Sequence, residues 1–149
     1  MIPKIVDGEG LTKHHEGYSE VIYEDSLGYP TGGYGTLLRV GTKLPKAVWD
    51  CAFRLAYEEA EIDIDKRFCY PTILDPVRRC VLIDMRYNLG PAPFDGDGIK
   101  DWPNFVRQVK EQKWLLAAAN MRSTLWYKQV GERGERLARM METGEWPKN

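Results

Sequence analysis

HHEGYSEVIYEDSLGYPTGGYGT, residues 14–36, decides how this chain is read. Ahead of it, Ile5, Leu11 and His15 can share one face, which predicts a short helix over residues 3–15 closed by Gly17. From Tyr18 to about Val40 the pattern changes. Val21, Tyr23, Gly28, Pro30, Gly32, Gly33 and Gly35 point to short strands joined by tight turns. So brief a stretch cannot be a sheet protein by itself, and a small β subdomain is expected.

Downstream the chain turns helical. LPKAVWDCAFRLAYEEAEIDIDKRF, residues 44–68, sets Val48, Ala52, Leu55, Glu59 and Ile62 at three- and four-residue steps, so that face is expected to pack inward. The acidic run from Glu58 to Asp65 reads as a solvated face. Pro71 and Asp75-Pro76 break this helix. PVRRCVLIDMRYNLG then starts another, apolar on nearly all sides, as a central core helix is, and ended by Gly90 and Pro91. Residues 91–100 read as a loop. Asp95 and Asp97 within FDGDG lack the further ligands and terminal Glu of a calcium loop, so no calcium site is expected. Three more helices are predicted, in DWPNFVRQVKEQK, WLLAAANMRSTLWYKQ and ERGERLARMMETG. The expected fold class is α+β, a small N-terminal β subdomain packed on a mostly helical C-terminal body. In that expectation residues 1–149 make a single domain, with the β subdomain at about 16–42. The helical body covers about 43–149 plus the N-terminal helix, and a cleft between the two parts is the natural binding site.

With 149 residues, 43% apolar and 29% charged, the chain suits one soluble globular domain. Its net charge of -1 carries no signature of nucleic-acid binding. Acidic residues exceed basic ones up to residue 70, and the balance reverses beyond residue 101, where a mild positive charge could help meet an anionic polymer. Cys51, Cys69 and Cys80, odd in number and unpaired in spacing, argue against a disulfide framework and for a reducing compartment. Cys51 and Cys80 fall in apolar helical patterns and are expected to be buried. His14 and His15 are the only histidines, without metal-binding spacing. No apolar run approaches the roughly 18 residues of a membrane span. MIPKIVDGEGLTKHHEG lacks the apolar core of a secretory signal, so a cytosolic protein is expected.

Glu16 and Asp25 flank the run SEVIY. Cleavage of a glycosidic bond needs one carboxylic acid to protonate the leaving oxygen. A second carboxylate must activate water or attack the sugar. Nine-residue spacing alone does not separate such a pair from two surface carboxylates. Thr31 alone reads as a turn hydroxyl bonded to nearby backbone.

The surroundings carry more. Glu16-Gly17 is followed by Asp25 after eight intervening residues, by Thr31 after five more, and then by a glycine-rich turn. This resembles the active-site region of phage-type lysozymes, the endolysins of glycoside hydrolase family 24. PVRRCVLIDMRYNLG is similar to the family's buried central helix. NFVRQVKEQKWLLAAANMRSTLWYKQVGERGERLARMMETGEW is similar to its C-terminal helices. The resemblance implies a lysozyme-like fold and a muramidase, with Glu16 as general acid and Asp25 and Thr31 positioning the attacking water. Leu37, Tyr87, Phe105 and Asn120 fall at sugar-contact positions, Phe105 where the family presents a small polar residue. Arg133 matches a basic residue that pairs with the catalytic acid. Thr36 stands where many relatives have a structural histidine, so the ion pair that histidine makes is expected to be missing. No cofactor or metal is implied. The implied partner is the glycan strand of peptidoglycan, with no nucleic acid, no stable membrane insertion and a monomeric protein. It would stay in the host cytoplasm until lysis, then reach the periplasm and cell wall with the help of a holin. Two rivals stay open, an inactive wall-binding module of the same fold and a lytic transglycosylase.

Overall fold

The computed structural model describes residues 8–90 and 102–147. The start of the expected first helix, residues 3–7, and the loop with Asp95 and Asp97 lie outside the described residues. The chain forms two compact units, Met1–Val48 and Trp49–Asn149. The N-terminal helix clusters with the sheet in the first of these units. Its sequence neighbour is the first strand, and contacts within the sheet unit hold it there. The class is α+β, as expected.

In the first unit, α1 (Gly8–Glu16) precedes β1 (Ser19–Glu24), β2 (Pro30–Gly33) and β3 (Thr36–Leu37). Gly17 stops α1. At φ 69° it adopts a left-handed backbone that glycine enters without penalty, and its N–H donates to the Lys13 carbonyl at 3.1 Å. The strands form one antiparallel sheet in sequence order. β1 and β2 pair Tyr23 with Thr31 and Ser19 with Gly33, with an irregularity between those pairs, and β2 pairs Thr31 with Leu37 on β3.

The second unit is built around α3 (Pro76–Leu89) and α7 (Glu132–Thr143), with α2 (Lys46–Arg67) entering it from Trp49 onward. Asp75 caps α3, its carboxylate accepting from the Val77 and Arg78 N–H groups at 2.9 and 3.0 Å, with Pro76 in the first turn. Val81, Leu82, Ile83 and Met85 are fully buried, which confirms a core helix. At roughly 1.5–3 kcal/mol each, such side chains supply most of this unit's cohesion. α5 (Trp114–Ser123) packs on α7 and on α4 (Pro103–Lys110), while α3 and α6 (Leu125–Val130) also contact α7.

Four expectations need correction. The inward face of α2 is not Val48, Ala52, Leu55 and Ile62, which are exposed. It is Tyr57, Ala60, Ile64 and, just past the helix, Phe68. Both stripes have helical spacing, and the second carries the aromatic rings and no acidic residue. The acidic run is not a free solvated face. Arg79 makes a two-pronged pair with Asp65 at 2.6 and 2.8 Å and reaches Glu61 at 3.1 Å, while Arg86 holds Asp63 at 2.8 Å and Glu59 at 3.1 Å. Cys51 is exposed and Cys80 half-buried, because α2 turns its Cys51 side away from the core. The expected helix over residues 114–129 divides at Thr124, whose extended backbone and side-chain bond to the Tyr127 N–H start α6 afresh.

Candidate active site

Glu16 is the last residue of α1 and is exposed. Its carboxylate lies against the turn between β2 and β3. A β-carbon placed on Gly35 would stand 2.8 Å from Glu16 Oε2 and 3.7 Å from Cδ. The same turn is tied to the helix by Tyr34. Its ring lies 5.1 Å from that of Tyr18, and the Lys13 ammonium sits 5.5 Å from its centroid.

Asp25 opens the other turn of the sheet, between β1 and β2. Its Oδ1 accepts from the N–H groups of Leu27 at 2.8 Å and Tyr29 at 2.9 Å, an Asx-type turn, and its own N–H donates to the Tyr29 carbonyl at 2.9 Å. Among the described residues, Oδ2 has no partner. Thr31 is 5% exposed, and its hydroxyl donates to the same Tyr29 carbonyl at 3.0 Å. Tyr29 therefore ties the acid and the hydroxyl to one peptide unit. With its hydrogen committed to that carbonyl, Thr31 presents lone pairs, and it can only accept from a third group. Leu37 is half-buried and faces Thr31 across the ladder, so the two side chains share a face of the sheet with Tyr23.

The sheet unit thus brings four of the expected residues together, Glu16 at one turn, Asp25 at the other, and Thr31 and Leu37 on the strands between. The other four belong to the helical unit. Tyr87 is 42% exposed, with its ring 5.3 Å from Phe53. Asn120 lies inside α5 and is half-buried, which removes the reading of it as a helix cap. Phe105 is a correction. It is fully buried and packs edge-on against Trp102 at 5.5 Å, because a large apolar ring gains more in the core than at a surface position. Arg133 is another. It pairs with Asp84 on α3, Nε donating to Oδ1 at 2.9 Å and Nη2 lying 2.8 Å from the same oxygen. No single-residue pattern forecasts that pair, since Asp84 is 49 residues away. Tyr29 and Gly35 were also missed as contributors. An Asp followed by a Leu-Gly turn was the available signal for Tyr29.

Among the described residues, no three His, Cys, Asp or Glu side chains gather to hold a metal ion, and no helix is long and apolar enough to cross a membrane. The phage lysozyme family profile matches residues 13–142, which span the sheet, both of its turns and nearly all of the helical unit. The chain belongs to the phage lysozyme family. A probable T4-type lysozyme of Dictyostelium discoideum is 23% identical over 172 aligned positions, covering 97% of this chain and 96% of that protein. Phage lysozyme membership supports a lysozyme-type glycosidase. Glu16-Gly17, Asp25 and Thr31 lie within the matched stretch.

Proposed function

We propose that this phage lysozyme is a muramidase. It hydrolyses the β-1,4 bond between N-acetylmuramic acid and N-acetylglucosamine in peptidoglycan, as the endolysin of a host-lysis system. Glu16 in its acid form gives its proton to the glycosidic oxygen as the C1–O bond breaks. Water attacks C1 from the opposite face, and its proton passes to the unpartnered Oδ2 of Asp25. The lone pairs of Thr31 accept the water's second hydrogen and set its orientation. Solvent then returns the proton to Glu16 and removes the one on Asp25.

The observation that carries this reading is the shared anchoring of Asp25 and Thr31 on Tyr29, with one carboxylate oxygen spent on the turn and the other left for chemistry. Glu16 and Asp25 sit at turns on opposite ends of β2. A strand of this length spans about 10 Å, which supports an inverting arrangement with room for water between sugar and base. Leu37, Tyr87 and Asn120 contribute sugar contacts in this proposal. Arg133 acts in it through its charge near the substrate, held by Asp84, and Phe105 supports the core in place of touching sugar. The protein works as a monomer, waits in the host cytoplasm and reaches the wall through a holin. That part rests on the resemblance to endolysins.

Clearing of outer-membrane-permeabilised cells tests the assignment. Glu16→Gln, which cannot donate a carboxyl proton, is expected to slow clearing by about 10²–10⁴-fold. Equal clearing by the variant would remove Glu16 from the role of acid. Mass spectrometry of the released muropeptides should show reducing ends. Products lighter by one water, the anhydro sugars, would identify a transglycosylase instead.

A further inference from the structure

We propose that Gly35 is a positioning residue for the Glu16 carboxylate, an inference that rests on Glu16 being the proton donor. The carboxylate occupies the space a side chain at residue 35 would fill. The 2.8 Å between Oε2 and the missing β-carbon is shorter than any real contact of that kind. Apart from the flanking residues of the turn, only Oε2 and Cδ of Glu16 come within 4 Å of that point among the described residues, so the vacancy is matched to this one group. Within the sheet unit, no hydrogen bond or ion pair among the described residues holds the Glu16 side chain. What confines it is the turn. The Tyr34–Tyr18 and Lys13–Tyr34 contacts hold the turn against the end of α1, which keeps the backbone carrying the acid beside the turn that faces it.

The backbone of Gly35 adds a second condition. Its φ of +74° is the left-handed region, and it turns the Cα–H that a β-carbon would replace toward Oε2. The acid thus rests on a C–H surface, a weak contact that takes no proton from it.

Two chains separate this role from simple turn chemistry. Gly35→Ala introduces a methyl where Oε2 now lies and also strains the backbone. D-alanine at residue 35 sits without strain at positive φ, and its methyl replaces the other hydrogen, away from Glu16. The second chain can be made by ligating a synthetic segment 1–50 to residues 51–149 at Cys51. Each is compared with wild type by circular dichroism melting, to measure the folded fraction, and by kinetics on purified peptidoglycan. The L-alanine chain is expected to lose about 10²-fold in kcat per folded molecule with KM within about threefold, the effect of displacing a reacting group by about 1 Å. The D-alanine chain is expected to keep kcat within about threefold. Wild-type kcat in the L-alanine chain would overturn the inference, and so would equal losses in both chains. Glu16→Gln run in parallel separates the two levels. If it is as active as wild type, the role of Glu16 fails. If it is inactive while Gly35→Ala is fully active, only the seat fails.

Discussion

Asp25 uses its two oxygens differently, and that makes its two roles separable. Oδ1 accepts the Leu27 and Tyr29 N–H groups at 2.8 and 2.9 Å, while Oδ2 is the oxygen proposed to take the proton of water. In Asp25→Asn the amide oxygen can keep both turn bonds, with the amide nitrogen in the place of Oδ2. Two hydrogen bonds to a charged acceptor, at about 1.5–3 kcal/mol each, become neutral ones at about 0.5–1.5 kcal/mol. Asp25 is half-buried, so the lower ends of those ranges apply, and the total loss is about 1–2 kcal/mol. Asp25→Ala removes both bonds and leaves two donors seeking water, a loss of about 2–4 kcal/mol. Activity behaves in another way. Neither variant can accept a proton, so each loses about 10²–10⁴-fold in kcat, equivalent to about 2.7–5.5 kcal/mol of barrier. Urea unfolding and wall clearing, measured on the same samples, read the two effects separately. Asparagine should be nearly as inactive as alanine yet clearly more stable. If Asp25→Asn clears walls at more than about a third of the wild-type rate, Asp25 is not the base. If asparagine destabilises as much as alanine, Oδ1 is not the oxygen that holds the turn.

Arg78 joins three elements of the helical unit, pairing with Asp75 at 2.7 Å, donating to the Met141 and Glu142 carbonyls at 2.7 and 2.9 Å, and lying 4.4 Å from the Trp114 ring. Arg78→Met should therefore cost about 2–4 kcal/mol in urea unfolding, chiefly from two charge-assisted bonds at the end of α7, with Arg78→Lys intermediate because it loses the planar fork. Hydrogen bonds from Arg122 hold the Glu135 carboxyl below its ordinary value of 4.5, against an opposing push from burial and with help from the Tyr127 hydroxyl. A lowered folded-state value stabilises fully above 4.5 and is lost as pH falls through that lower value, so Glu135→Gln should flatten the acid limb of the stability curve below about pH 4.5. Asp75 leaves part of that limb in place, since burial raises its carboxyl but the bonds from Arg78 and Val77 outweigh burial and hold it low.

What the sequence shows and what it hides divide by distance along the chain. The end of α1 at Gly17, the cap at Asp75-Pro76 and the stop at Gly90 are all legible, because a cap or turn is completed within about four residues of the group that specifies it. The face of α2 was not legible. Two apolar stripes both satisfy a helical period, and the choice between them depends on where α3 places its arginines. Arg79 and Arg86 lie seven residues apart on one side of α3, and they draw Asp63 and Asp65 to that side, which sets Ala60 and Ile64 inward. The burial of Phe105 and the pairing of Arg133 with Asp84 have the same origin, partners far off in sequence.

The same division bears on the candidate site. Of the side chains described in the sheet unit, Thr31 is the one that is both polar and buried, and few apolar residues there are buried. Packing within this unit therefore does little to place Glu16, Asp25 and Thr31. Turns do it instead, with the Asx turn aiming Asp25, the Tyr29 carbonyl orienting Thr31 and the bare Cα of Gly35 seating Glu16. Turn chemistry is written in short strings with fixed spacing, which is why an E-G, D, T and glycine pattern can point to the family at low overall identity. A site built on packing would have tolerated many residue combinations and left no such string. It follows that the sheet unit should be more sensitive to substitution at Tyr29-flanking and glycine positions than to changes at its exposed apolar residues such as Val21 and Leu27. The helical unit should show the opposite order.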